Sequence, residues 1–288
     1  MFNVYEVIKG NPDFYRQLRS GESLITQFSC LLDDKFKDAW SHNNYFAYIV
    51  EGRKIWHTAN GSYDLKAGDC AFVRKGAFIS EQFFETTRCF IFFFMPDEFI
   101  RETLQGKVKA TEKIGKPFAP VIPVEDNAMI QAFFHSMLSY FGSKGEPDEA
   151  LLEIKFKELL LTLADNPANA ELRAYFGSLL HEPRAVSIQQ VMDQNFCFNL
   201  KLEEFARLSA RSLSAFKRDF ENCYQTSPGK WLLEKRLNHA MHLITNLGKT
   251  VSDAAFESGF ESTSHFSRAF RQRFGTPPAA VKQQAVIQ

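Results

Sequence analysis

The chain has 288 residues, 45% hydrophobic and 24% charged, a mixture that supports a sizeable core and excludes wholesale disorder, collagen and low-complexity repeats. Basic and acidic residues balance at 34 each, but residues 185–288 hold 13 Lys+Arg against 9 Asp+Glu, so a polyanion partner belongs to the C-terminal part. The longest apolar run, Cys89–Met95, is seven residues, far short of the roughly 20 that span a bilayer. Met1–Gly10 carries Glu6 and Lys9 and no apolar signal core, so a cytoplasmic protein without a membrane partner is expected. The cysteines are Cys30, Cys70, Cys89, Cys197 and Cys223. Their odd number and the lack of a Cys-x-x-Cys pair point to packed free thiols rather than a zinc site or disulfide framework.

The first hundred residues read as short strands. Leu24–Phe28, Tyr45–Val50, Lys54–Thr58, Cys70–Val73, Phe78–Phe84 and Arg88–Met95 are apolar or alternating runs. Turn signals separate them: Glu51-Gly52-Arg53, Ala59-Asn60-Gly61-Ser62, Ala67-Gly68-Asp69 and Lys75-Gly76. Asn-Gly supplies the positive φ of a hairpin turn. The pattern predicts an antiparallel barrel or sandwich, with Phe90–Phe94 as a central strand covered on both faces.

After Pro96 the period changes. Ile130, Phe133, Phe134, Met137, Leu138 and Phe141 recur at helical spacing and Gly142 stops them. That stripe suits a dimer seam or packing on the protein's own sheet. Leu151–Leu163 and Ala170–Leu180 are two further helices, and the Pro/His/Glu stretch around 181–185 is the expected domain boundary. Everything beyond reads as helix. Ser187 caps a segment to about Asn195; Leu200–Leu208, Ser212–Tyr224, Pro228–Asn246, Val251–Ser258 and Ser262–Phe274 follow. Ser227-Pro228 supplies a cap and a first-turn proline.

The C-terminal part contains a repeat. Phe216–Pro228 aligns with Phe266–Pro278 at an offset of 50 residues, with identity at Phe216, Arg218, Phe220, Thr226 and Pro228. Each copy follows a short helix and a tight turn, Ser209-Ala210 or Ser258-Gly259, which makes two helix-turn-helix units. Leu213, Phe216, Phe220 and Tyr224 share one stripe of the first unit's second helix, as do Phe266, Phe270 and Phe274 in the second. The opposite stripes hold Ser214, Lys217, Arg218 and Glu221, and Ser264, Ser267, Arg268 and Arg271. Hydroxyls and guanidinium groups suit base edges and phosphates. The 19 residues from Pro228 to Asn246 span about 28 Å as helix, against about 34 Å between successive major-groove faces.

On these residues the C-terminal region resembles the DNA-binding domain of AraC/XylS transcriptional regulators. The matching stretch is Gly259–Phe270 with Phe274-Gly275-Thr276-Pro277-Pro278. The resemblance implies base or backbone contacts from Ser214, Lys217 and Arg218 in the first unit. In the second it implies Thr263, Ser264, Ser267 and Arg268, and Arg271 extends that stripe. Ala67–Gly76 with the helix Leu152–Leu163 is similar to the cupin-like sensor domains of such regulators, of the ExsA type. The resemblance implies activation, and control by a partner protein rather than a sugar.

A metal-dependent cupin would need a His-x-His pair; none occurs, and His42 and His57 stand 15 residues apart, so neither metal nor cofactor is expected. His265 suits packing or a phosphate contact. A flat aromatic ligand pocket could draw on Phe46, Trp56, Phe72, Phe83 or Phe92, although core filling explains the same residues. The expected protein is therefore α+β with two domains. Residues 1–182 form a cupin-like antiparallel β-barrel with trailing helices, regulatory and dimerising; residues 185–288 form an all-α domain whose two helix-turn-helix units, joined by a long helix, read DNA. Its expected partners are double-stranded promoter DNA, a second copy of the chain, RNA polymerase, and a small-molecule or protein effector. The competing classes are a cupin-type metal-dependent enzyme with a helical appendage and a regulator whose N-terminal domain binds only protein.

Overall fold

A computed structural model describes residues 1–28, 34–83, 87–109, 118–125, 128–142, 145, 147–181 and 187–286. Cys30, Phe84 and the expected boundary from 182 to 185 lie outside the described residues. The chain divides into two compact units, Met1–Pro183 and Arg184–Gln288.

The first unit contains two sheets. One runs in the order β1 (Phe2–Asn3), β4 (Phe36–Ser41), β9 (Gly76–Gln82), β6 (Arg53–Thr58), β7 (Gly61–Lys66). The other runs β11 (Val121–Val124), β8 (Cys70–Val73), β5 (Asn44–Glu51), β10 (Cys89–Met95), β3 (Ser23–Phe28), β2 (Arg16–Ser20). The described pairs are antiparallel except β1 with β4. The expected closed barrel is thus corrected to two open sheets. The edge strands explain why closure stops: β1 is two residues long, and β11 carries Pro123, which lacks the N–H a further partner needs.

Side-chain alternation sorts the six-stranded sheet into two faces. Tyr45, Ala47, Ile49, Phe90, Phe92 and Phe94 pack with Ala39, Trp56, Leu65 and Phe78 of the five-stranded sheet, forming the sandwich interior. Phe46, Tyr48, Ile91, Phe93 and Met95 face the other way, under helices. β10 is therefore covered on both faces, which its unbroken apolar sequence requires. The covering helices are α2 (Asp97–Leu104), α3 (Ala128–Gly142), α4 (Glu149–Asp165) and α5 (Ala170–His181), while α1 (Val4–Gly10) is capped by Asn3 accepting from the Glu6 amide. The apolar stripe of α3 is spent on this sheet: Phe134 stacks on Tyr48 at 4.3 Å. A buried polar knot ties sheet to helix. Asn44, fully buried, donates to Asp97 at 2.6 Å and accepts from the Lys75 amide at 2.9 Å, and the Lys75 ammonium bonds Asp97 at 2.6 Å.

The second unit is helical: α6 (Ile188–Asn195), α7 (Leu202–Leu208), α8 (Leu213–Tyr224), α9 (Pro228–Thr245), α10 (Val251–Glu257), α11 (Thr263–Phe274) and α12 (Pro278–Val286). Hydroxyl caps open α6, α8, α9, α10 and α11, at Ser187, Ser212, Ser227, Thr250 and Ser262. Phe266 and Phe270 join Leu237, Ala240 and Ile244 of α9 in one core cluster. No described helix is long and apolar enough to cross a membrane.

Candidate nucleic-acid interface

The repeat is a structural one. α7 and α10 begin at Leu202 and Val251, an offset of 49, whereas α8 and α11 begin at Leu213 and Thr263, an offset of 50. The second turn therefore holds one extra residue. In both turns the backbone closes alike: the Arg211 amide donates to Ala206 at 3.0 Å and the Phe260 amide to Ala255 at 3.1 Å. Arg211 and Phe260 correspond, and Glu261 is the insertion. The corner residue has positive φ in each, +55° at Ala210 and +84° at Gly259. Only the second corner demands glycine, because a Cβ at Gly259 would lie 2.7 Å from the Cys197 carbonyl oxygen.

Each second helix is anchored by fully buried phenylalanines, Phe216 and Phe220 in α8, Phe266 and Phe270 in α11. Both helices end in a left-handed residue, Gln225 or Gly275. With one stripe buried, the opposite one is turned outward. Ser214, Lys217 and Arg218 are exposed on α8; Ser264, Arg268 and Arg271 are exposed on α11. Thr263 and Ser267 are half-buried beside them. Helical spacing gathers each set on its own helix face.

The two faces differ electrostatically. α11 carries Arg268, Arg271 and Arg273 and no acid, whereas α8 sets Asp219 and Glu221 beside Lys217 and Arg218. Asp219 occupies the position of Ala269. Its Oδ1 accepts from Arg218 Nε and Nη2 at 3.2 and 3.1 Å, and its Oδ2 from Arg211 Nε at 3.1 Å. These bonds, from Arg211 first, hold the carboxyl below the usual carboxylate range. The Asp-for-Ala difference between the copies was the sequence signal for this clamp.

The long helix α9 joins the halves from inside. Arg236 donates from Nε to the Phe196 carbonyl and from Nη2 to the Phe198 carbonyl, both at 2.7 Å. Its burial pushes the guanidinium below its usual range. Gly259 approaches the same segment through Cys197, and Glu261 accepts from Asn199. The segment 196–199, the strut and the second turn therefore meet at one place. Periodicity gave no sign of it, since backbone acceptors leave no mark on a sequence.

His42 and His57 are both engaged elsewhere, with Asn3 at 3.0 Å and with Ser62 and Glu81 at 2.7 and 2.9 Å. Among the described residues no group of three or more His, Cys, Asp or Glu could hold a metal ion.

Two families match the chain. Residues 44–175 match the ExsA N-terminal regulatory domain, and residues 205–284 match a helix-turn-helix domain. The chain is 25% identical over 237 residues to the thermoregulatory protein LcrF of Yersinia pestis, covering 81% of this chain and 87% of LcrF. It is 24% identical over 238 residues to the HTH-type transcriptional regulator ExsA of Pseudomonas aeruginosa, covering 82% and 84%. An apo ToxT structure from Vibrio cholerae aligns at 13% identity and TM-score 0.43 over 91% of this chain and 97% of that one. The protein is a DNA-binding helix-turn-helix transcription regulator, not an enzyme. More particularly, it belongs to the AraC family and carries an ExsA-type regulatory domain at its N-terminus.

Proposed function

We propose that α8 and α11 enter successive major grooves of promoter DNA, and that the first unit controls this binding. The observation that carries the reading is the repeated division of the two helices: buried phenylalanines on one stripe, exposed Ser, Lys and Arg on the other. In this reading Ser214, Lys217 and Arg218 contact one half-site, and Thr263, Ser264, Ser267, Arg268 and Arg271 the next. The 18 residues of α9 span about 27 Å, which suits two helices aimed about one turn of DNA apart. Arginine donates two parallel bonds to guanine, serine and threonine serve base edges or phosphates, and lysine neutralises phosphate.

Residues 1–182 act as the regulatory and dimerising part, and 185–288 as the DNA reader. Activation is favoured, since a relative from Yersinia enterocolitica bears the name virulence regulon transcriptional activator. An activator of this kind works beside RNA polymerase, in the cytoplasm where the promoter lies. Two copies gain affinity by occupying two half-sites. α4 leaves Leu151, Ile154 and Leu161 exposed on one side, which suits it to the seam better than α3. The test is selection of genomic fragments by the purified chain at two salt concentrations. The expected result is enrichment of paired short blocks about one helical turn apart. Enrichment by neither the chain nor residues 184–288 alone would overturn the reading.

A further inference from the structure

The two helix-turn-helix units touch each other away from their recognition helices. Residues 196–201 connect α6 to α7 and so lead into the first unit, with Lys201 as the N-cap of α7. Ser258, Gly259 and Glu261 belong to the turn of the second. Whatever fixes 196–199 against that turn fixes one unit against the other.

Arg236 of α9 lies between these two segments. Its bonds to the Phe196 and Phe198 carbonyls leave from Nε and Nη2 of one rigid plane. Phe196 is the C-cap of α6, where carbonyls lack a helical partner and the helix dipole favours a cation. The same guanidinium meets the second turn: a Cβ at Gly259 would lie 3.1 Å from Arg236 Nε and 2.7 Å from the Cys197 carbonyl oxygen. The corner therefore rests directly on the clamp. Two further ties join the same segments. Asn199 donates to Glu261, and His239 has Phe196 edge-on at 5.2 Å and Ser258 Oγ at 3.3 Å. Cohesion alone does not call for this arrangement. α9 is already held to the second unit through Leu237, Ala240, Leu243 and Ile244 against Phe266 and Phe270, and taking a guanidinium out of water is costly. What the planar fork supplies beyond cohesion is direction.

We propose that Arg236 is a positioning residue that sets the angle between the two units, and through it the spacing of the half-sites that α8 and α11 read. It acts through the backbone of both units, not through a base. Arg236 is the ninth of the 18 residues of α9, about 13 Å from either end. A tilt of about 15° at that point moves a recognition helix by about 3.4 Å, one base-pair step. The inference rests on the reading that α8 and α11 enter successive grooves.

The test is selection by the full chain from random duplexes of about 40 base pairs, roughly four helical turns, followed by titration of the enriched block pairs at altered spacings. The wild-type chain should prefer one spacing at least about tenfold over a spacing one base pair longer or shorter. In Arg236→Met the preference should shrink to within about threefold, and Arg236→Lys, a single point donor in place of the fork, should fall between. Asn199→Ala, at an exposed position, should broaden the profile less, and supplies the comparison should Arg236→Met not melt cooperatively. A change that only lowers stability reduces the active fraction for every fragment alike and leaves the ratios between spacings as they were. Wild-type ratios in every folded variant would overturn the assignment of Arg236. No fixed spacing in the wild-type selection would instead overturn the two-groove reading, and this inference with it.

Discussion

Arg218 and Arg268 hold matching positions in the repeat, yet their surroundings are opposite. Arg218 is bonded by Asp219, whereas Arg268 has Ala269 beside it. To reach a base, Arg218 must leave a carboxylate; Arg268 leaves only water. The second unit should therefore carry the stronger single contact. Arg268→Ala is expected to weaken specific binding by about 1–3 kcal/mol and relax choice at one base pair, read by titration against the selected site and its single-base variants. Asp219→Asn removes a negative charge facing the polyanion and releases Arg218, so non-specific affinity should rise and sequence choice fall. An unchanged ratio of specific to non-specific affinity would show that the clamp has no part in recognition. The two turn corners give a paired test of backbone. Gly259→Ala forces a Cβ against the Cys197 carbonyl at φ +84° and should cost about 2 kcal/mol or more. Ala210→Gly, where the left-handed residue already carries a Cβ at φ +55°, should be neutral or stabilising by up to about 1 kcal/mol. Chemical denaturation of both variants reads the contrast.

At the scale of elements, α9 is the member on which both helix-turn-helix units depend, and one of its residues makes it sensitive to pH. His239 stands edge-on to Phe196 at 5.2 Å, with its Nδ1 3.3 Å from Ser258 Oγ. Burial, and next the nearby His242, push its pKa below the usual histidine value, with Glu257 opposing. The folded unit therefore binds fewer protons than the unfolded chain just below neutrality. Stability contributed by the neutral ring is present above about pH 6.5, the unfolded histidine value, and is lost as pH falls through it toward the lower folded value. Melting of residues 184–288 should drop between pH 7.5 and 5.5, and His239→Gln should flatten the drop. Much of this unit was legible beforehand because its signals are local: hydroxyl caps, a period of 3.6 residues, and phenylalanines repeated at a fixed offset. The inserted Glu261 and the Arg236 clamp depend on partners far along the chain. In the first unit the long central strands stood out by their apolar runs, whereas β1, β2, β4 and β11 are short, polar or broken by proline. Sequence alternation was compatible with barrel or sandwich, since what separates them is whether the edge strands meet.

Over the whole molecule, charge placement matters more than its zero sum. Affinity for DNA scales with phosphates neutralised, the logarithm of the binding constant falling about 0.9 per phosphate for each unit of log salt. α11, with three arginines and no acid, should supply more of this slope than α8, whose basic and acidic residues offset each other. Replacing Arg271 and Arg273 by Gln together should flatten the slope by up to about 1.8, whereas Lys217→Gln should change it by at most about 0.9. Sequence choice should survive the paired change better than it survives Arg268→Ala, because phosphate contacts position the protein without reading bases. The same measurement separates the roles of the two units. If the first unit brings two copies together on adjacent half-sites, the full chain neutralises two sets of phosphates in one binding event. Its slope on a two-site fragment should then approach twice that of residues 184–288 on a single site. Equal slopes would mean that the full chain binds as one copy, and the exposed side chains of α4 would need a different partner.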